Sequence, residues 1–202
     1  LLQNAHDACA EAGSRSGRAW FAWTDEALLV ADSGRGIDEN GVEALTSWGT
    51  TVKAGDPAAI GHKGIGFVAC YELTDTPQFL NSHGTHFGFD VEQAAQRGLP
   101  PSYLPQFLDL GDAGHDEGKC QELFDSGAVT IVRLPYKDGQ GRGESRRLFD
   151  ELLDPETLLF MPNLGSISLW DGDDSVEWSC KSTKRKTKFA KRASAACKSV
   201  EV

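Results

Sequence analysis

Gly61-His62-Lys63-Gly64-Ile65-Gly66-Phe67 places three glycines at the spacing G-x-x-G-x-G. Without Cβ atoms, such a backbone takes positive φ and brings its N–H groups close to a ligand. The apolar run Phe67-Val-Ala-Cys-Tyr-Glu-Leu73 follows at once and reads as a helix. A glycine-rich loop that opens a helix suits phosphate, because unpaired N–H groups and the helix dipole both favour an anion there. Lys63 sits among these glycines, within reach of a phosphate oxygen. A plain turn would fit the same residues. What gives the stretch weight is its company upstream, Asn4-Ala-His-Asp7 and Asp32-Ser-Gly34-Arg-Gly36.

Working outward, Leu1 to Gly13 has apolar or small residues at a helical period. Ala19 to Trp23 and Ala27 to Ala31 are β-prone runs around Thr24-Asp-Glu26, a predicted hairpin that delivers Asp32 at its end. A short helix is expected from Asp38 through Leu45. Residues 47–60 are polar and carry Gly49, Lys53, Gly55 and Pro57, which reads as a lid between two phosphate-facing segments. Gln78 to Asn81 and Thr85 to Asp90 read as strands. Residues 91–126 are rich in Pro, Gly and Asp, helical only near Glu92 to Arg97, and are expected as a surface insertion. Val129 to Leu134 is a strand, and Glu144 to Leu153 and Pro155 to Phe160 are helices. Ile167 to Trp170 and Val176 to Cys180 pair around Asp171-Gly-Asp-Asp174. Strands grouped beside helices, without β-α-β alternation, predict an α/β (α+β) two-layer sandwich with a mixed, mostly antiparallel sheet.

The 202 residues suffice for one domain with a core, or one domain plus an extension. No apolar run reaches the roughly 18 residues of a membrane span, and no secretory signal opens the chain, so the expected location is cytoplasmic. The chain begins without Met inside a helical pattern, and a longer parent protein is expected. Cys9, Cys70, Cys120, Cys180 and Cys197 are odd in number with no C-x-x-C pair, which favours reduced, buried thiols. The formal charge of −10 is uneven: from Ser179 on there are eight Lys or Arg against one Glu, and before it 12 basic against 29 acidic side chains. So acidic a body disfavours a general nucleic-acid surface. Only the basic tail, residues 181–192, could meet nucleic acid or an acidic partner, and a solvated strand or helix face explains it as well.

The three boxes in this order resemble the GHKL ATPases, the superfamily of gyrase-type topoisomerases, heat-shock chaperone ATPases and histidine kinases. Leu1-Leu-Gln-Asn4-Ala-His-Asp7-Ala8 is similar to that family's N-box, and Asp32-Ser-Gly34-Arg-Gly36 to its D-x-G-x-G box. Gly61 to Gly66 is similar to its third glycine box, and Trp48-Gly-Thr-Thr-Val-Lys53-Ala-Gly55 to the start of the chaperone ATP lid. Leu153-Asp-Pro-Glu-Thr-Leu-Leu-Phe160 with Asn163-Leu-Gly-Ser-Ile167 resembles the branch with sacsin-type N-terminal ATP-binding domains. The resemblance implies the Bergerat fold and a division into three parts. Residues 1–135 would be the ATP-binding domain, with a lid at 47–60 and an insertion at 91–126. Residues 136–180 would be a helix–strand extension, and 181–202 a basic tail or the start of a further domain.

The resemblance also assigns roles. Asp32 would accept from the adenine amine, as suits an ionised carboxylate, which only accepts. Gly34 and Gly36 would let base and ribose lie on bare backbone. Asn4 would give one oxygen to Mg²⁺, which takes few protein ligands and fills its octahedron with phosphate and water. Asp7, one helical turn on, would line the pocket, whereas His6 faces elsewhere and reads as structural. Gly61, His62, Lys63, Gly64, Ile65, Gly66 and Phe67 would hold phosphate, with Lys53 from the lid. Ala128 departs from the chaperone-like pattern, which has Thr there, and Thr130, two residues on, is the expected substitute on the same face.

The family's general base is a Glu four residues before the N-box Asn, one residue ahead of Leu1, and Asp7 and Glu11 lie on the wrong side of Asn4 to replace it. ATPase activity is thus expected of the longer protein, with no catalytic residue among these 202, and a non-hydrolysing ATP-responsive switch is the alternative. The partners expected are ATP, further domains of the same parent chain and a nucleotide-dependent dimer, with no membrane. Two other nucleotide motifs fit less well. Gly64-Ile-Gly66-Phe-Val-Ala69 satisfies G-x-G-x-x-A, but that pattern must follow a buried strand at once, and Lys53 to Ile60 precedes it here. A Walker A loop is excluded, because no Gly-Lys-Ser or Gly-Lys-Thr follows the glycines.

Overall fold

Residues 17–32 fold back on themselves because Thr24 stands in for backbone at the turn. Its hydroxyl donates to Ala27 O at 3.0 Å and accepts from the N–H of Ala27 at 2.9 Å. The flanking strands, β1 (Gly17–Trp23) and β2 (Ala27–Asp32), pair antiparallel from Ala19↔Asp32 to Trp23↔Leu28. Successive side chains of a strand leave by opposite faces, and here both faces are apolar. Ala19, Phe21, Trp23, Leu28 and Val30 enter one core, and Trp20, Ala22, Ala27, Leu29 and Ala31 enter another. This hairpin is therefore buried from both sides.

The computed structural model describes residues 1–46, 67, 69–139, 141–183, 186–193 and 200–201. The lid expected at 47–60 and the glycine box at 61–66, with Lys53, His62, Lys63 and Ile65, lie outside the described residues. Further strands are β3 (Gln78–Asn81), β4 (His86–Gly88), β5 (Gln106–Leu108), β6 (Thr130–Pro135) and β7 (Leu164–Asp171). After them come β8 (Asp174–Thr183), β9 (Lys186–Ala193) and β10 (Val200–Glu201). Among the described residues they form one sheet in the order β10-β9-β8-β7-β1-β2-β6-β3-β4-β5. Only the β1–β7 pair is parallel in it. The mixed, mostly antiparallel sheet expected from the sequence is thus present, and β7, from the expected extension, lies directly beside β1. The basic tail supplies part of β8 and all of β9, so residues 181–183 and 186–192 continue the sheet.

The helices are α1 (Leu2–Glu11), α2 (Glu39–Thr46), α3 (Val91–Gln96), α4 (Glu117–Asp125) and α5 (Arg142–Leu152). On the first face, α1 sends in Leu2, Ala5 and Cys9, and α5 sends in Phe149. The Phe149 ring meets Phe21 at 4.8 Å and Trp23 at 5.0 Å, both edge-on, the arrangement that aromatic quadrupoles prefer. Trp23 Nε1 is satisfied by Ser145 Oγ at 2.8 Å. The run after the glycine box forms less α-helix than expected: Phe67 is helical, and Ala69–Glu72 is a 3₁₀ turn.

The second face differs from the surface insertion expected over residues 91–126. Within residues 91–126, which read as an insertion, β5 is an edge strand of the sheet. From the same residues, α4 buries Cys120 and Leu123 completely against Trp20, Leu29, Leu80 and Ile131. A buried ion pair fastens this cover, with Arg133 Nε donating to Asp116 Oδ2 at 2.7 Å just ahead of α4. Gln78 Oε1 at 3.1 Å accepts from Nη1, and Glu26 Oε2 at 3.4 Å accepts from Nη2. Burial pushes the Cys120 thiol up to about 12, and Cys9, Cys70 and Cys120 are buried and form no disulfide, in keeping with the reduced, buried thiols expected. No helix among the described residues is long and apolar enough to cross a membrane.

Candidate functional site

Sheet register sets three polar residues side by side. Asp32 ends β2 opposite Thr130, the first residue of β6, and Thr130 in turn stands opposite Asn81, the last residue of β3. All three are buried, and Asp32 is 9% exposed. Alternation turns this row toward the face that α1 covers. Ala128, by contrast, precedes β6 and packs in the second core. The same face was expected for Ala128 and Thr130 from their spacing, and the two face opposite sides of the sheet.

The glycine box following β2 is clamped from two sides. A Cβ on Gly34 would lie 2.5 Å from the Ala8 carbonyl carbon of α1, so only glycine lets the loop sit this close to the helix. The Arg35 N–H donates to Ala8 O at 3.2 Å across the same contact. Gly36 has φ +85°, a left-handed conformation that favours glycine, and faces Val129 and Asn81. Asp32 Oδ1 accepts from the Gly34 N–H at 2.8 Å, and the Val129 N–H donates to Asp32 O at 2.7 Å. Burial outweighs that one hydrogen bond and pushes the Asp32 carboxyl up to about 7.

Asn4 is exposed, one turn before Ala8 on the same face of α1. Asp7 is 2% exposed and lies 3.0 Å from His6 Nδ1. Asn163 Nδ2 stands 3.1 Å from His6 Nε2. An amide nitrogen only donates, so Nε2 accepts and Nδ1 carries the proton given to Asp7. His6 thus ties α1 to the segment before β7, the structural part expected of it. Phe67 turns its ring into the core, against Tyr71, Phe79 and Phe89, and can offer a ligand only backbone.

The described residues bring Asp32, Gly34, Gly36 and Thr130 together at one end of the sheet, and Ala8 joins that end to α1, the helix that carries Asn4 and Asp7. Sequence reasoning missed Asn81. Its place beside Thr130 comes from β3–β6 register, and the one signal in the sequence is an Asn closing a strand just before a turn.

Residues 1–97 match the Sacsin domain. That match spans α1, β1, β2, the box after β2 and β3, which carry all of the clustered residues except Thr130. The chain is also 27% identical over 143 residues, 69% of its length, to Protein NO VEIN of Arabidopsis thaliana. It spans 5% of the length of that protein. These likenesses support a sacsin-like family for the chain, as the residues 153–167 also suggested.

Proposed function

We propose that the sacsin-like region is an ATP-binding domain of the GHKL type, in which Asp32 reads the adenine base. The observation that carries this reading is a buried carboxylate at a strand end, on a sheet face closed by a helix. Its second oxygen is left for a ligand once Oδ1 has taken the Gly34 N–H. A carboxyl pushed up to about 7 by burial gains most from a donor such as an exocyclic amine, which restores what desolvation removed. Thr130 supplies a hydroxyl beside it, and Gly34 and Gly36 supply a backbone surface for base and ribose.

Mg²⁺ fits the residues at hand, because it needs only one or two protein oxygens when phosphates and water complete its shell. The exposed carboxamide of Asn4 has such an oxygen, and the ion would neutralise phosphate charge there. Gly61 to Gly66 with Lys63, and Lys53 from the lid expected at 47–60, would complete the phosphate end. What these residues offer is binding rather than turnover, since Asp7 is engaged by His6 and Glu11 Oε2 lies 3.8 Å from Arg35. Hydrolysis, a chaperone-like cycle and a cytoplasmic setting belong to the same proposal for the longer protein, with an ATP-responsive switch as its non-hydrolysing form.

Titration calorimetry on Asp32→Asn tests the reading. The substitution keeps the size but can present an NH₂ to the adenine amine, so ATP affinity falls by about 1–3 kcal/mol, the cost of mismatched buried polar groups. Unchanged affinity would overturn the assignment of Asp32.

A further inference from the structure

We propose that Asn81 is a positioning residue for base selection, holding the loop after Asp32 and the Thr130 hydroxyl in a form that presents only acceptors. This rests on the nucleotide-binding reading and adds to it a residue that neither the sequence motifs nor the family resemblance points to. Asn81 is 4% exposed, and its side chain spends every polar atom on neighbouring loops. Its Oδ1 accepts from the Ile37 N–H at 3.1 Å, and its Nδ2 donates to Thr85 O at 2.8 Å. Thr130 Oγ1 approaches the same Oδ1 at 3.5 Å as donor.

Two consequences follow from those contacts. The box Gly34–Ile37 is pinned at both ends, to Asp32 through the Gly34 N–H and to Asn81 through the Ile37 N–H. Gly36, with φ +85°, is held between the pins with Asn81 Oδ1 3.7 Å from where its Cβ would be. A hydroxyl has one proton and two lone pairs. With that proton turned toward Asn81, Thr130 faces the site with lone pairs alone, beside the carboxylate of Asp32. Adjacent acceptors suit the 6-amine of adenine and repel the 6-carbonyl of guanine. Without Asn81, the Thr130 proton is free to turn into the site and donate to that carbonyl.

The test is the affinity of the 202-residue chain for Mg-ATP and for Mg-GTP, by titration calorimetry, in the parent sequence and in Asn81→Ala. The expected result is an ATP affinity lowered about tenfold, the scale of one lost buried hydrogen bond, together with a smaller preference for ATP over GTP. A merely structural Asn81 would weaken both nucleotides by the same factor, and that result overturns the proposal, as does no change in either. Asn81→Asp keeps an oxygen for Ile37 and Thr130, so it restores the preference. If Asn81→Ala does not fold, loss of the preference in a folded Asn81→Asp overturns the proposal just as well. If the parent chain binds neither nucleotide, the reading of the whole site fails. If it binds ATP and Asn81→Ala keeps the ratio, only the role of Asn81 fails.

Discussion

The two faces of the central sheet are built from the same strands and do different work. On the first, α1 closes over a row of polar residues at one end, and Asp32, Thr130 and Asn81 stand there in a desolvated but hydrogen-bonded setting. On the second, α4 and the segment before it cover Trp20, Leu29, Leu80 and Ile131, and the polar groups present are consumed in the pair of Arg133 with Asp116. A buried polar group whose bonding is complete stabilises or specifies packing, while one with capacity left over can meet a ligand. Among the described residues, Asp32 keeps such capacity on the first face, while Arg133 and Asp116 on the second are committed to each other.

Among the substitutions, breaking the second face has the largest expected effect on stability. Asp116→Ala leaves the buried guanidinium of Arg133 without its closest partner, which costs on the order of 3 kcal/mol of stability, the low end for a broken buried pair because Glu26 remains. Denaturant unfolding would measure it. If the two faces divide the work, the preference of the folded variant for ATP over GTP is unchanged.

A change of pH sharpens the contrast from the other side. Burial raises the Asp32 carboxyl from 3.8 to about 7. Between those values the folded chain holds a proton that the unfolded chain has released. The contribution of Asp32 to stability is therefore greatest below about pH 4, falls as pH rises toward 7 and is level above it. Its full span is about 4 kcal/mol at most. Unfolding curves from pH 4 to 8 should show that fall in the parent chain and lose it in Asp32→Asn. ATP affinity runs the opposite way and rises with pH through about 7, since the accepting form is the ionised one.

The smallest expected effect is at Gly34. A methyl group there meets the carbonyl carbon and Cβ of Ala8 at 2.5 Å, so the loop must move off α1. Overpacking of this kind costs about 1–3 kcal/mol. Gly34→Ala should lower the melting temperature modestly while weakening ATP, because the contact it breaks joins the helix to the base-reading loop. A variant that melts earlier and binds ATP unchanged would detach this loop from the site.

How much of this was legible in the sequence follows the same division. The first face announced itself through local pattern: a helical period in Leu1 to Gly13, two apolar runs around Thr24-Asp-Glu26, and Asp32 at the end of the second. Each of those signals lies within a few residues of the next. The second face depends on contacts between distant segments. Cys120 and Leu123 occupy one side of a nine-residue helix among Pro, Gly and Asp, too short a period to distinguish a core helix from a surface turn. What could have flagged it is the apolar content of β1 and β2 at odd and even positions alike, which requires a cover on both sides. In the candidate site, Asn4, Asp7, Asp32, Gly34 and Gly36 were found by motif. Asn81 was hidden because register across β3 and β6 leaves no mark in either strand. The face of Ala128 was misjudged because the turn before β6 breaks the alternation.

The central claim is that the end of the sheet at Asp32 reads adenine. Titration of the chain with Mg-ATP and with Mg-GTP at pH 8, where Asp32 is ionised, tests it most directly. The account predicts heat and saturation with ATP at a single site and at least tenfold weaker binding of GTP, the scale of one mismatched buried polar contact. Equal affinity for the two nucleotides, or none for ATP, would contradict it.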